Sequence, residues 1–252
     1  SWTITDGGTD EVSLADADGN IYPTVTIGNQ EWFAKNLRTA RYANGDPITT
    51  GLSNVDWDNA DYAAYAIYPN ADIAGLNSDA EVLEAYGALY NWYAVDDPRG
   101  LCPDGWRVST DADWTELTDY LVSIDDIAVG NQLKSCRQIN SPQGGECTTN
   151  EHPRWEEDAV NGNYGTDIYG FMAYPGGWRV GGGASDFDNL GYSSFWWSLP
   201  NDPAIDPFSR IIHYDQSEIQ ISFDGTLTNG LSVRCIRDSE PQNTHTVTFN
   251  LD

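Results

Sequence analysis

The chain has 252 residues, and its 39 Asp and Glu against 12 Lys and Arg give a formal net charge of −27 at pH 7. So negative a surface repels phosphate backbones and anionic bilayers before any specific contact forms, which argues against nucleic acid as a partner, and it suits salty surroundings that screen self-repulsion. The length fits one sizeable core, no apolar run reaches membrane-spanning length, and the start at Ser1 lacks a basic-then-apolar signal, so direct membrane insertion is not expected and a processed or trimmed start is.

Residues 1–17 carry few packing side chains and read as an approach to a single domain spanning residues 18–238; residues 239–252 read as a tail or edge strand. Asp18-Gly19-Asn20 is a turn, Tyr22–Ile27 puts Val25 and Ile27 on one face, and Gly28-Asn29 turns the chain again, so a hairpin is expected. The run DADGN resembles the opening of a calcium loop, but Ile27 stands where the terminal Glu should be, and no metal is assigned there. Trp32 and Phe33 are core anchors, and Arg41–Asp72 reads as loop with short elements. Within it, Asp56, Trp57, Asp58, Asp61 and Tyr62 could build a cation or sugar site, although an aromatic tucked under a solvated loop explains them better.

Ser78 and Glu81 form a capping-box signature, with Val82, Ala85, Tyr86 and Leu89 at helical spacing behind them, so a first helix is expected, with Gly87 weakening its interior. Thr110 is the N-cap of a second helix, Asp111–Ser123. Asp111 and Asp113 complement its positive end, and Trp114, Leu117 and Leu121 form its apolar stripe. Gly130–Thr149 and Asn150–Tyr164, the latter around Trp155, do not read as core. From Tyr169 the chain becomes Gly-aromatic. Phe195–Trp197, Arg210–Tyr214 and Ile219–Phe223 read as strands, the last with Ile219, Ile221 and Phe223 on one face, and Asp224-Gly225 turns it back. In the final core strand Leu231, Val233 and Cys235 alternate with Ser232 and Arg234, so one face should turn toward the helices. Val247, Phe249 and Leu251 give the tail one apolar face, which could return as an edge strand beside Trp2–Thr5.

Four cysteines allow three pairings. No two sit at close zinc-ligand spacing, and disulfides are the better explanation. Cys136 and Cys147 flank a Pro-Gly-rich loop short enough to be stapled locally, which leaves Cys102 and Cys235 to join the start of the second helix to the last core strand. Such bonds imply an oxidising, extracellular or cell-surface setting.

The block CPDGWRVSTDADW (Cys102–Trp114), together with YGALYNWYAV (Tyr86–Val95), YGFMAYPGGWRV (Tyr169–Val180), SSFWWS (Ser193–Ser198) and GLSVRCIRD (Gly230–Asp238), resembles the Fibrobacter succinogenes major paralogous domain. Asp18–Tyr42 belongs to the same pattern, and the blocks stand in family order. The resemblance implies an α+β, C-type lectin-like fold: two helices packed on small antiparallel sheets, long loops, and disulfide staples. It extends more distantly to formylglycine-generating enzymes and to the variable proteins of diversity-generating retroelements. Fold follows from such a likeness more safely than function does.

No catalytic constellation stands out. There is no Ser-x-x-Lys, no Gly-x-Ser-x-Gly elbow and no phosphate loop, and adjacent acids mean little among 39 carboxylates. The formylglycine-generating relatives use paired reactive cysteines in the C-terminal part of the fold, where this chain has only Cys235. The expectation is therefore a binding protein rather than an enzyme, without cofactor or metal. In lectin-like relatives the C-terminal region carries the ligand face. Its loop residues here, Ser185, Asp186, Asp188, Asn189, Tyr192, Ser198, Asn201, Asp202, Arg210, His213, Tyr214 and Asp215, combine aromatic area with adaptable polar groups. Calcium-dependent sugar motifs are only partly echoed, at Trp57-Asp58-Asn59 and Pro200-Asn201-Asp202. Trp178, Trp196 and Trp197 are assigned to the scaffold. The expected role is a secreted or surface-displayed module binding a protein or glycan on another surface, in its sharpest form a retroelement-diversified receptor. A structural or adhesive subunit is the alternative, and a formylglycine-generating type of oxidase a weaker one.

Overall fold

The computed structural model describes residues 14–124, 128–183, 186–202, 207–223 and 225–238. The expected strand pairing of the tail with Trp2–Thr5 lies outside the described residues, as do Ser185 and Asp224. In chain order the elements are β1 (Thr24–Ile27), β2 (Gln30–Phe33), α1 (Asn54–Asp58), β3 (Tyr65–Ala66), α2 (Asp79–Tyr86), β4 (Leu89–Tyr90), α3 (Trp92–Val95), β5 (Trp106–Val108), α4 (Asp111–Ile124) and α5 (Val129–Leu133). They continue with β6 (Gly176–Arg179), β7 (Phe187–Leu190), β8 (Ser193–Ser198), β9 (Phe208–His213), β10 (Gln220–Ser222) and β11 (Cys235–Arg237). The architecture mixes α and β elements, with few helices, several sheets and two disulfides, Cys102–Cys235 and Cys136–Cys147.

The hairpin forms as expected. Ile27 pairs with Gln30 across Gly28-Asn29, and Gly28, at φ 62°, supplies the turn conformation that a side chain would strain. One sheet runs β1-β2-β11-β5 with antiparallel neighbours, a second runs β10-β9-β8-β6-β7, and β3 pairs with β4. The second sheet is not wholly antiparallel, because β6 meets β8 in parallel through Gly177 and Ser194. In the run that resembles the opening of a calcium loop, Asp16 accepts from the amides of Asp18 and Asn20 and from the Tyr22 hydroxyl. Asp18 accepts from the Ala40 amide and pairs with Arg41 at 3.1 Å.

Both expected long helices are present. The Ser78 hydroxyl accepts from the Glu81 amide, but the helix stops at Tyr86 rather than running on to Leu89, which lies in β4. Gly87 is its C-cap at φ 82°, and a Cβ there would stand 2.6 Å from that of Asn36. In α4 the Thr110 hydroxyl accepts from the Asp113 amide at 3.2 Å while the Asp113 carboxylate accepts from the Thr110 amide at 2.7 Å, a reciprocal cap. Trp114, Leu117 and Leu121 are fully buried, and Glu116 and Asp119 face out.

Further readings need correction. Trp155 and Leu133, in segments that do not read as core, are fully buried in one cluster with Trp114 and Trp196, and the Trp155 indole donates to the Ala173 carbonyl at 3.0 Å. The segment around β11 is buried on both faces, not one: Ser232 and Arg234 are as enclosed as Val233 and Cys235. Arg234 fills the interior by donating to four acceptors, Asn36 Oδ1 and the carbonyls of Phe33, Phe171 and Met172, at 2.7 to 2.8 Å. Finally, Ile221 and Phe223, expected on a common apolar face, are exposed. Trp196 and Trp197 are buried as expected, and Trp178 is half-buried, stacked on Phe195 at 5.0 Å.

Candidate functional site

The twelve residues proposed for a ligand face do not form one patch. Ser198 and Arg210 must be removed from it, because both are buried. Ser198 closes the β8–β9 pairing opposite Phe208, its hydroxyl enclosed without a partner. Arg210 spans from β9 to α4, paired with the Asp111 carboxylate and donating to Thr115 Oγ1 at 3.1 Å, so it ties sheet to helix. Asn201 and Asp202 are exposed, and Asn201 lines a groove of about 740 Å³ between the β1–β2 turn and α4. Asp188 on β7 and Asp186 just before it are exposed. There Phe187 meets Tyr68 edge-on at 5.2 Å, and burial together with the carboxylates of Asp188, Asp72 and Asp186 pushes the Tyr68 phenol up to about 12. Asn189 stands at φ 61° where the chain turns from β7 to β8.

Tyr192, His213, Tyr214 and Asp215 do come together, at the start of β8 and the end of β9. Ser193 pairs with His213 in the register, so the residues just outside the ladder, Tyr192 and Tyr214, face each other. The Tyr214 amide donates to the Tyr192 carbonyl at 2.8 Å, and the two rings meet edge to face at 5.2 Å, with Tyr192 45% exposed. Such an arrangement matches ring edge to ring face while leaving aromatic surface toward solvent. His213 Nδ1 is 2.7 Å from Ser193 Oγ. Burial pushes the imidazole pKa down, Lys134 adds to this and Asp215 opposes it, so the ring is neutral at pH 7. Burial, Asp215 and Asp158 push the Tyr214 phenol up, so it keeps its proton.

This edge rests on Lys134, a residue that periodicity did not single out. Its side chain is fully buried, and Nζ donates to the carbonyls of Gln216 at 2.6 Å, Tyr214 at 3.0 Å and Asn163 at 3.1 Å. Burial pushes its pKa down to about 7 against the pull of Asp158 and Asp215. Asn163 donates to the Asp215 carbonyl at 2.7 Å and to Asp158 at 3.2 Å. Burial raises the Asp158 carboxyl, but the amides of Asn161, Asn163 and Val160 and the Asn163 side chain outweigh it and hold the group below the usual carboxylate range. Lys134 is one of only two lysines in the chain, the one signal that could have marked it.

The edge offers two phenol hydroxyls, a neutral imidazole and a carboxylate around aromatic surface, a set suited to hydrogen bonding and stacking with a ligand. Among the described residues no group of three or more His, Cys, Asp or Glu is placed to hold a metal ion, and no helix is long and apolar enough to cross a membrane. Trp57, weighed as part of a sugar site, is fully buried under the Arg179 guanidinium at 4.3 Å, its indole donating to the Thr228 carbonyl.

Comparison with curated proteins finds no match, and comparison with solved structures finds none either. The family model for the Fibrobacter succinogenes major domain matches residues 25–237, from β1 through the end of β11. This chain belongs to the Fibrobacter succinogenes major domain family.

Proposed function

We propose that the chain is a non-catalytic, secreted or surface-displayed binding module that engages a protein or glycan on another surface through the Tyr192–Tyr214 edge. The edge-to-face tyrosine pair at 5.2 Å carries this reading. Tyr192 is exposed and Tyr214 half-buried, and the backbone between them is held by the Tyr214 amide on the Tyr192 carbonyl and by buried Lys134 on the Tyr214 carbonyl, so little ordering entropy is lost when a ligand stacks there. The two disulfides support an oxidising location. A C-type lectin-like arrangement is in keeping with the two long helices, the small sheets and a disulfide that joins the segment before β5 to the start of β11.

The test is to display the intact protein to glycan and cell-surface protein panels, beside Tyr192→Ala and Tyr214→Ala. Each substitution should weaken capture by about tenfold or more, as aromatic anchors in interfaces do, while the fold is retained. Capture unchanged by both would overturn the assignment of this edge. In the retroelement-diversified form of the reading, near-identical gene copies differ at loop positions such as Asp186, Asp188, Tyr192 and Asp215 and agree at Trp196, Trp197, Val233 and Cys235. A flat distribution of differences would reject it.

A further inference from the structure

Separate from the tyrosine edge, a cavity of about 410 Å³ opens between α2 and the segment around the Cys136–Cys147 disulfide. Lys35, Arg137, His152 and Tyr174 line it, with Leu76 and Ala85 as apolar wall. We propose that it is a binding site for a small monocarboxylate bearing hydroxyl groups, of the hexuronate type.

The argument starts from hydrogen-bond accounting. The buried Tyr86 hydroxyl accepts from the Arg154 amide at 3.3 Å, leaving its single proton for His152 Nδ1, 2.5 Å away. Nδ1 therefore accepts, and the proton of the neutral ring sits on Nε2, the nitrogen left for the cavity. Burial, with Arg154 adding to it, pushes the His152 pKa down and so keeps the ring in this form at pH 7. Arg137 uses Nε and Nη2 on the carbonyls of Pro153 and Glu151, and Nη1 is left over. These bonds and the neighbouring disulfide fix where the guanidinium stands, without pairing it to a carboxylate.

Charge decides the class of ligand. Lys35 and Arg137 line the cavity, and Arg38 and Arg154 stand next to it in the pairs Arg38–Glu84 and Arg154–Glu156, which places here a third of the 12 basic residues of a chain with net charge −27. Glu84 is shared by Lys35 at 2.6 Å and Arg38 at 3.0 Å, and Glu81 accepts from the Asn77 amide. These two glutamates still face the cavity, so a dianion such as phosphate is disfavoured while a single carboxylate finds the Arg137 and His152 donors. Glu84, its side chain 58% exposed, remains able to accept from a ligand hydroxyl, and Leu76 and Ala85 offer a face for ring C–H groups. The volume falls within the usual range of small-molecule pockets, roughly 300–1,000 Å³.

The experiment is an NMR titration of the full chain, labelled with ¹⁵N, watching the His152 ring nitrogens and the Arg137 side chain. The probes are D-glucuronate, D-glucose, N-acetylglutamate and inorganic phosphate. Glucuronate should shift both side chains saturably, and the other three should not match it. Arg137→Gln should weaken binding about tenfold or more, in line with loss of a hydrogen bond to a charged group. If that variant fails to fold, Lys35→Met at the rim takes its place. Tyr86→Phe, at a positioning residue, should redistribute the His152 proton toward Nδ1, seen in the ring ¹⁵N shifts, and weaken glucuronate binding. Equal binding of glucose, preference for phosphate, response to N-acetylglutamate alone, no response to any probe, or undiminished glucuronate binding by the folded charge variants would each overturn the assignment.

Discussion

The Lys134 ammonium lies 2.6 Å from the backbone carbonyl of Gln216, fully buried and 5.5 Å from the centroid of the Trp155 ring. Burial lowers its pKa to about 7, below the unfolded value of about 10.4, so between these values the unfolded chain binds more protons than the folded one. Stability should therefore rise with pH from about 7 toward 9, before tyrosines or Arg234 contribute. Urea midpoints at constant ionic strength check this, and a flat or falling profile would contradict the assignment of Lys134 as a group whose protonation opposes folding.

Arg234 makes a stricter demand, because its four acceptors are enclosed with it. Arg234→Met would take a donor from the carbonyls of Phe33, Phe171 and Met172, at about 1–3 kcal/mol each where no water reaches them, while Asn36 Oδ1 would keep the Trp196 indole. A loss of more than about 4 kcal/mol is expected by chemical denaturation. Arg234→Lys should recover only part of it, since an ammonium cannot reproduce the planar fork.

The two disulfides should differ in weight. Cys136 and Cys147 are 11 residues apart, Cys102 and Cys235 are 133 apart, and the chain-entropy view gives about 3 and about 5 kcal/mol. Paired Cys→Ser variants measured by denaturant titration should show the larger loss for the long-range bond. The short-range pair should in addition loosen the segment beside Arg137, detectable as faster amide exchange at Gln138 and Trp155.

Gly87→Ala should destabilise by more than about 2 kcal/mol, because a Cβ at φ 82° would also collide with Asn36. Asn36 is shared by Arg234, Trp196 and the Tyr86 carbonyl, so the disturbance should reach Trp196 fluorescence. Gly105→Ala, at φ 79° with open space around it, isolates the backbone part of the effect and should cost less.

Much of the framework was legible in local patterns. The cap at Thr110 and the Trp114, Leu117, Leu121 stripe specify α4, and Gly28-Asn29 specifies the hairpin, because these signals act within a few residues. Loop lengths between cysteines pointed to the correct pairing. What could not be read was long-range satisfaction of polar groups. Arg210 and Ser198 look like surface residues until β8 and β9 are seen buried between α4 and the rest of the core. Lys134 and Arg234 become interior residues only because carbonyls from distant segments converge on them. Of the candidate ligand face, the strand register united Tyr192 with Tyr214, a pairing that no spacing in the chain encodes.

The bond between Cys102 and Cys235 turns the chain from the segment before β5 to the start of β11 into a covalent ring. A protease that cuts once at an exposed position inside that ring, such as Gly182 or Gly183, opens the ring without releasing a fragment. The cut protein then migrates as one species until a reductant is added. In the surface-displayed setting proposed above, damage at the loops is thereby separated from loss of the loops themselves.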